Sequence, residues 1–405
     1  MEASWGRRGL TAWGLAAAVF ALTTAVESSS WTQLGAFTPT YLRVLGVSTR
    51  DLPAWTAALA SLSWVIGIPL APFWGVWADR YSRKAIIVRS ALVEAVIFGG
   101  WAMSTSPWMA LGFSILSGFV LGSTGVMLAV TTSLAPPEKL GTAIGIVTAG
   151  PPLGQALGPL TGALLIPQFG VRGMLLVDAS AAAMIACLLT LVIREPERER
   201  PLGVSALRLL QAALGEIVSS KLLSRLFGAM FVVLFGTWLV RPFLPIYIAR
   251  LAREGGIADT TAAVGVILTV VGAAQAGSAP FWGRVVDRFG YIRVLSGTTI
   301  AAGISLASAG FALRLGVLTL ALVLWAAFTA AITTATTALM ARTVSAARRG
   351  AVLGQIYFPF YVAGLVGPPV GAVLFGAGQP ALFGVAALAA LAPMLALLSL
   401  RRAAA

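Results

Sequence analysis

Long apolar segments follow one another along the whole chain, and short polar stretches separate them. Each segment is long enough for the roughly 20 residues that a membrane-spanning helix needs. We place twelve spans near residues 13–41, 53–78, 85–104, 107–132, 141–166, 173–193, 224–248, 261–286, 293–313, 317–341, 351–375 and 380–400. The segments are continuous rather than alternating and are rich in Ala and Leu, so the pattern predicts an all-α membrane protein.

The longest polar break divides the spans into two sets of six. Its first part is dense in charge and proline, which is typical of a linker. In its second part, Ser205 can cap a helix with one apolar face, which would lie on the membrane surface. We therefore expect a six-helix bundle at residues 1–193, a cytoplasmic linker with an amphipathic helix at 194–222, and a second six-helix bundle at 223–405.

Composition supports this picture, and the charge gives an orientation. The 405 residues are 58% hydrophobic and only 10% charged, with a formal net charge of +14. If the N-terminus is inside, most of the 28 Lys and Arg side chains fall on the cytoplasmic side, as topology rules require. We expect a multi-pass protein of the inner (plasma) membrane with both termini cytoplasmic, and no binding of nucleic acid.

The two halves of the chain share sequence. The phrase APFWGVWADRYSRK at 71–84 returns as APFWGRVVDRFGYIR at 279–293. Two further matches recur at nearly the same offset: Pro39-Thr-Tyr-Leu with Pro245-Ile-Tyr-Ile, and GQALGPLTGA with AGLVGPPVGA. Two related six-helix halves predict a secondary transporter whose substrate site lies between them.

At these residues the chain resembles the major facilitator superfamily, over essentially its whole length. The loop pattern consists of Gly75, Asp79, Arg80 and Arg83, and its echo of Gly283, Asp287 and Arg288. The resemblance implies twelve transmembrane helices in two pseudo-symmetric six-helix bundles. It also implies that these residues form a conformational latch, which bridges the halves in one state and releases them in the other.

A second motif lies in span five and consists of Gly145, Gly154, Gly158, Pro159 and Gly162. It is similar to the antiporter motif of proton-driven drug exporters, with alanine in place of the final glycine. The resemblance implies export of small amphipathic or drug-like molecules by proton antiport with alternating access. Many such antiporters carry an arginine in span four where this chain has Ser114. An uncoupled facilitator or a symporter of a small metabolite is therefore the alternative.

Ionisable residues inside a membrane are costly and therefore mark candidate functional sites. Glu27 and Glu94 are our candidates for proton coupling, since both lie midway along a span. Glu94 has a structural alternative, which is an ion pair with Arg89. We expect Asp178, near the outer part of span six, to reach water or Arg172.

Polar and aromatic side chains in the middle of spans are candidates for the substrate cavity. We select Gln33, Gln155, Trp238, Gln275 and Tyr357. Arg241 belongs to the same span as Trp238 and is a further cavity candidate, with snorkelling to the outer surface as the alternative.

Several classes of protein lack the residues that they need. The sequence has no histidine, one cysteine and no phosphate-binding Gly-x-x-x-x-Gly-Lys-Ser/Thr motif. An intramembrane enzyme would need a nucleophile with a base, or a metal cluster. We expect no enzyme activity, no cofactor and no metal. The expected partners are a small-molecule substrate, protons and the lipid bilayer, and the expected state is a monomer.

Overall fold

The computed structural model describes residues 12–70, 73, 77, 82–193, 215, 218–343 and 357–394. Every regular element within these ranges is helical. The predicted amphipathic helix of the linker lies outside the described residues, as do Gly75, Asp79 and Arg80 of the loop motif. The division into three segments therefore stays a prediction.

Six α-helices form the first half of the chain. They are α1 Ala12–Val44, α2 Leu52–Val65, α3 Arg83–Met103, α4 Pro107–Ile115, α5 Ser123–Leu134 and α6 Leu140–Val192. Serine side chains cap two of them, because the Ser82 hydroxyl accepts the Ala85 N–H and the Ser106 hydroxyl accepts the Met109 N–H.

The second half contains seven α-helices. They are α7 Lys221–Val240, α8 Leu244–Glu254, α9 Thr260–Phe289, α10 Tyr291–Gly310, α11 Leu315–Thr343, α12 Tyr357–Gly376 and α13 Gln379–Ala390. A short 3₁₀ turn, Arg241–Phe243, joins α7 to α8. Pro242 lies in this turn, where it interrupts the helical hydrogen-bond ladder.

These helices follow the predicted spans, with three differences in continuity. Predicted span four is divided into α4 and α5 by the 3₁₀ turn Leu116–Phe119, and span seven is divided at Arg241–Phe243. Spans five and six form one long helix, α6, in which Gly170 provides the kink at φ 69°. By length and composition, nine helices of the described part could cross a membrane, with α6 counted once. The number of twelve crossings stays a prediction.

A row of glycines on α6 lets it lie directly against α1. A Cβ atom at Gly154 would collide with the carbonyl oxygen of Ala25, and one at Gly158 would collide with that of Ser29. Close backbone approach of this kind is typical of small residues at a four-residue spacing. Gly145 differs, since a Cβ there would meet nothing within 4 Å.

The second half repeats this packing. On α12, a Cβ at Gly367 would lie 2.6 Å from the Cβ of Trp238, and Gly371 lies against the backbone of Leu239. The matched tyrosines of the two halves, Tyr41 and Tyr247, are also both buried. The sequence repeat therefore corresponds to a repeated packing unit, in which each glycine-rich helix lies against the first helix of its own half.

The two halves touch mainly through two helix pairs. On α9, a Cβ at Gly272 would lie 3.2 Å from the Cα of Ala156 on α6. On α12, Gly364 lies against the indole of Trp64, which belongs to α2. At the ends that we predict to be outer, a small crevice of ≈ 50 Å³ lies between α1, α8 and α9. The halves also meet on that side, where α1 packs against α8.

Candidate functional site

Three acidic residues come together inside the first half. Glu27 lies on α1, Glu94 on α3, and Asp178 on the second arm of α6, after the kink. Helix α6 packs against both α1 and α3. Glu94 lies within electrostatic range of both Glu27 and Asp178. The fold therefore places three carboxyl groups from three separate spans in one cluster, the acidic cluster.

Asp178 is the best-anchored member of this cluster. Its side chain is buried, and the Ser30 hydroxyl donates to Oδ1 at 3.0 Å while the Gln33 amide donates to Oδ2 at 2.7 Å. The Gln33 oxygen in turn accepts the Thr161 hydroxyl at 2.6 Å. The expectation that Asp178 reaches water or Arg172 was wrong, because Arg172 donates to the Ser104 carbonyl instead.

Glu94 is the least satisfied member. It is buried, and its Oε1 has no hydrogen-bond partner among the described residues. The Trp31 indole lies beside it. In the described part of the chain no ion pair joins Glu94 to Arg89. The Arg89 guanidinium donates to the Leu121 carbonyl, in the broken span four.

Glu27 is the most accessible member. Its side chain is half-buried, whereas those of Glu94 and Asp178 are buried. Glu27 is therefore the member of the acidic cluster that a substrate or water reaches most readily.

The other cavity candidates lie in different environments in the structure. Gln33 is 1% exposed and holds Asp178, so it does not line an open cavity here. Gln155 and Gln275 are both exposed, and the backbone of Gln155 contacts α9 at Gly272. Tyr357 begins α12, and its side chain lies outside the described residues.

Trp238 belongs to an aromatic cluster that spans the two halves. The cluster comprises Trp64 of α2, Trp238 of α7, and Phe360 and Tyr361 of α12. The Trp64 ring lies 5.6 Å from that of Trp238 and 5.3 Å from that of Tyr361, with the latter pair stacked. Such edge-to-face and stacked contacts are favourable geometries for aromatic pairs.

Arg241 lies beside this cluster. Its guanidinium is 5.8 Å from the centre of the Trp238 ring. The turn that carries Arg241 packs against α2 and α12, and its side chain is exposed, so cavity lining and snorkelling both stay predictions for Arg241.

The loop motifs are described only in part. Asp287 and Arg288 are exposed at the end of α9, and a Cβ at Gly283 would meet nothing within 4 Å. At the start of α3, Arg83 donates to the Ala129 carbonyl at 3.5 Å and Lys84 to the Thr190 carbonyl at 2.6 Å. These two side chains tie the beginning of α3 to α5 and to the end of α6.

Sequence reasoning missed two features of the site. It placed Asp178 outside the proton-coupling set, although a third acid within a span was a visible signal. Nothing in the sequence indicated that Thr161, beside Gly162 of the span-five motif, would reach Gln33 on another helix. The contacts of Asp178 and of Thr161 with Gln33 both depend on the close approach of α6 to α1.

Relatives with curated names share about two thirds of the chain. A protein of Citrobacter koseri called multidrug resistance protein MdtG is 30% identical over 260 residues, which are 64% of this chain and 63% of that protein. A Lactococcus lactis protein called multi-drug resistance efflux pump PmrA homolog is 28% identical over 267 residues, 66% of this chain and 65% of the relative. The aligned part thus covers slightly less than two thirds of these relatives' own length.

Solved structures share the fold. A bacterial homologue of the human lysosomal transporter Spinster, in an inward-facing and unoccupied conformation, matches 96% of both chains with a TM-score of 0.78 at 16% identity. The nucleoside transporter NupG matches 94% of this chain and 99% of its own with a TM-score of 0.77 at 13% identity. The family model of the Major Facilitator Superfamily matches residues 19–255 and 226–405. The chain therefore belongs to the Major Facilitator Superfamily.

Proposed function

We propose that this transporter exports small amphipathic or drug-like molecules in exchange for protons, by alternating access. The names of the multidrug-resistance and efflux relatives support drug efflux. The acidic cluster supports proton coupling. In this proposal the protein works as a monomer in the inner membrane, with both termini cytoplasmic.

The observation that carries the proposal is the grouping of Glu27, Glu94 and Asp178 in one half. Carboxylates inside membrane proteins are typical of proton pathways. Glu94 is repelled by both Glu27 and Asp178 when they are ionised, so the cluster is suited to hold and release protons. Glu27, which is accessible, exchanges its proton for the substrate. Asp178 and Glu94 form the enclosed part of the pathway.

The loop motifs and the glycine row provide the movement in this proposal. Gly75, Asp79, Arg80 and Arg83 form the latch with Gly283, Asp287 and Arg288. The glycines of the span-five motif keep α6 against α1, so the acidic cluster moves as a unit with its half. The contacts of α6 with α9 are then free to open and close.

The substitution Glu27→Gln tests the proposal. It keeps the shape of the side chain and removes its proton. In proteoliposomes that hold ethidium, we expect the wild type to move the dye faster when a pH gradient is imposed. We expect Glu27→Gln to lose that acceleration while it still binds the dye. Glu138→Gln is the matched control, since Glu138 is exposed in the loop before α6.

Two results would contradict the proposal. If Glu27→Gln responds to the pH gradient at the wild-type rate, another group carries the proton. If dye movement by the wild type is independent of the gradient, the alternative of an uncoupled facilitator is correct. The serine at position 114, in place of the family's arginine, is the observation that favours this alternative.

A further inference from the structure

We propose that Arg241 and the aromatic cluster form a subsite for an aromatic substrate that carries an anionic group. This inference rests on the proposed function, because it specifies the chemistry of the molecule in the same interior space. The acidic cluster would be expected to select cations. Arg241 adds a recognition element of the opposite charge in the other half.

The position of Arg241 is the first argument. It begins the 3₁₀ turn that interrupts predicted span seven. Its side chain is exposed. The turn packs against α2 of the first half and α12 of the second. Arg241 therefore lies beside the contact between the halves.

The lack of a counter-charge is the second argument. Among the described residues, Arg241 makes no hydrogen bond and no ion pair, and its one recorded contact is with the Trp238 ring. An arginine within a membrane protein is costly unless an anion or acceptors compensate it. The intramembrane acids that sequence identified all belong to the first half. A planar guanidinium with five donors is well suited to bind a carboxylate in a bidentate manner.

The aromatic cluster supplies the third argument. Rings of both halves meet there, with Trp238 5.5 Å from Phe360 and 5.6 Å from Trp64. The indole nitrogens of Trp64 and Trp238 are both buried and have no acceptor within the described ranges. A buried donor without a partner costs about 1–3 kcal/mol in general. When the halves part, an aromatic ligand with acceptor oxygens can stack on these rings and satisfy both donors.

A matched pair of probes tests the inference. The probes are 1-naphthoate and 1-naphthylmethylammonium, which share an aromatic body and differ in charge. Binding to the full-length protein in phosphatidylcholine nanodiscs is measured by isothermal titration calorimetry. We expect Arg241→Gln to weaken naphthoate binding at least about tenfold, as for loss of a charged hydrogen bond. The ammonium probe should bind as before or more tightly.

Two further variants keep the test specific. Arg241→Lys retains the charge and should recover part of the naphthoate affinity. Arg253→Gln removes an exposed arginine on α8 that donates to the Ala249 carbonyl of its own helix, so it should leave both probes unaffected. The inference is overturned if the wild type does not bind naphthoate, or if Arg241→Gln binds it normally or loses both probes equally.

An anionic lipid headgroup is the other possible source of a negative charge that binds Arg241. Nanodiscs that contain phosphatidylglycerol provide the comparison. If this lipid abolishes naphthoate binding, a headgroup occupies Arg241 and the substrate assignment fails. Because binding is measured without a pH gradient, these outcomes are separate from the Glu27→Gln experiment. Normal naphthoate binding by Arg241→Gln would leave proton-driven efflux untouched.

Discussion

At the scale of single residues, Gln33 is the side chain on which the acidic cluster depends. It is fully enclosed and uses both ends of its amide: the nitrogen donates to Asp178 and the oxygen accepts from Thr161. Three spans are thereby joined through one side chain. A buried polar network of this type is stabilising only while every member is satisfied. Gln33 therefore fixes the orientation of the Asp178 carboxylate.

Gln33→Leu should disrupt this network more than Thr161→Val does. The leucine removes both hydrogen bonds of Gln33, leaving Asp178 with Ser30 and Thr161 with the Gly158 carbonyl, whereas valine at 161 removes only one of these two, the bond between Thr161 and Gln33. Loss of a hydrogen bond to a charged group corresponds to about 1.5–3 kcal/mol, and loss of a neutral one to about 1 kcal/mol. Thermal unfolding of the purified variants in detergent measures the difference. Equal stabilities of the two variants would contradict the bridging role.

At the scale of elements, the glycines of span five fall into two classes. Gly154, Gly158 and Gly162 lie against α1, where a Cβ would collide with backbone or side-chain atoms. Gly145 belongs to the same motif but has open space around it. The equivalent glycines of α12 pack against α7 in the same way. Close packing is thus a property of the duplicated unit in both halves.

Gly154→Ala and Gly145→Ala should therefore have opposite effects on stability. Alanine at 154 would force α6 away from the backbone of α1, which costs about 1–3 kcal/mol as overpacking. At 145 it adds helix propensity, worth up to about 1 kcal/mol, without a clash. Yield of folded protein and melting temperature in detergent provide the measurement. A Gly154→Ala variant as stable as the wild type would show that α1 and α6 can separate at little cost.

At the scale of the whole molecule, the halves are held together where α6 meets α9 and where α2 meets α12. At Gly272 the neighbouring atoms belong to the backbone of α6, which cannot yield as a flexible side chain would. Two rigid surfaces in contact are suited to separate as a unit rather than to deform. The small crevice that contains Thr40 lies beside this contact.

Gly272→Leu should hold the two halves apart on this side. Access is measured by the rate at which a maleimide labels a cysteine introduced at Thr40, with the exposed Cys187 replaced by serine. We expect labelling several-fold faster than in the parent. Gly277→Leu is the matched control on the same helix, because a Cβ at Gly277 meets nothing within 4 Å. The interpretation fails if both variants label at the parental rate.

The sequence alone determined the fold class, the approximate spans and the duplication. These follow from local features: length and hydrophobicity of a segment decide whether it forms a helix in a membrane, and a repeated phrase is visible without coordinates. It also identified Glu27 and Glu94, since an acid within a span is conspicuous. The sequence did not reveal the breaks in spans four and seven, because proline and glycine also occur in continuous spans of this chain.

Only the tertiary structure decided which of these residues meet. Asp178 joins Glu94 because α6 bends at Gly170 and its second arm packs against α3, which involves residues far apart in the chain. Gln33 is a buried bridge to Asp178 rather than an open cavity residue, and Arg241 lies beside the ring of Trp238. Periodicity specifies the faces of a helix, but the neighbour of each face depends on the packing of all the helices. That packing determines where the acidic cluster and Arg241 lie in the molecule.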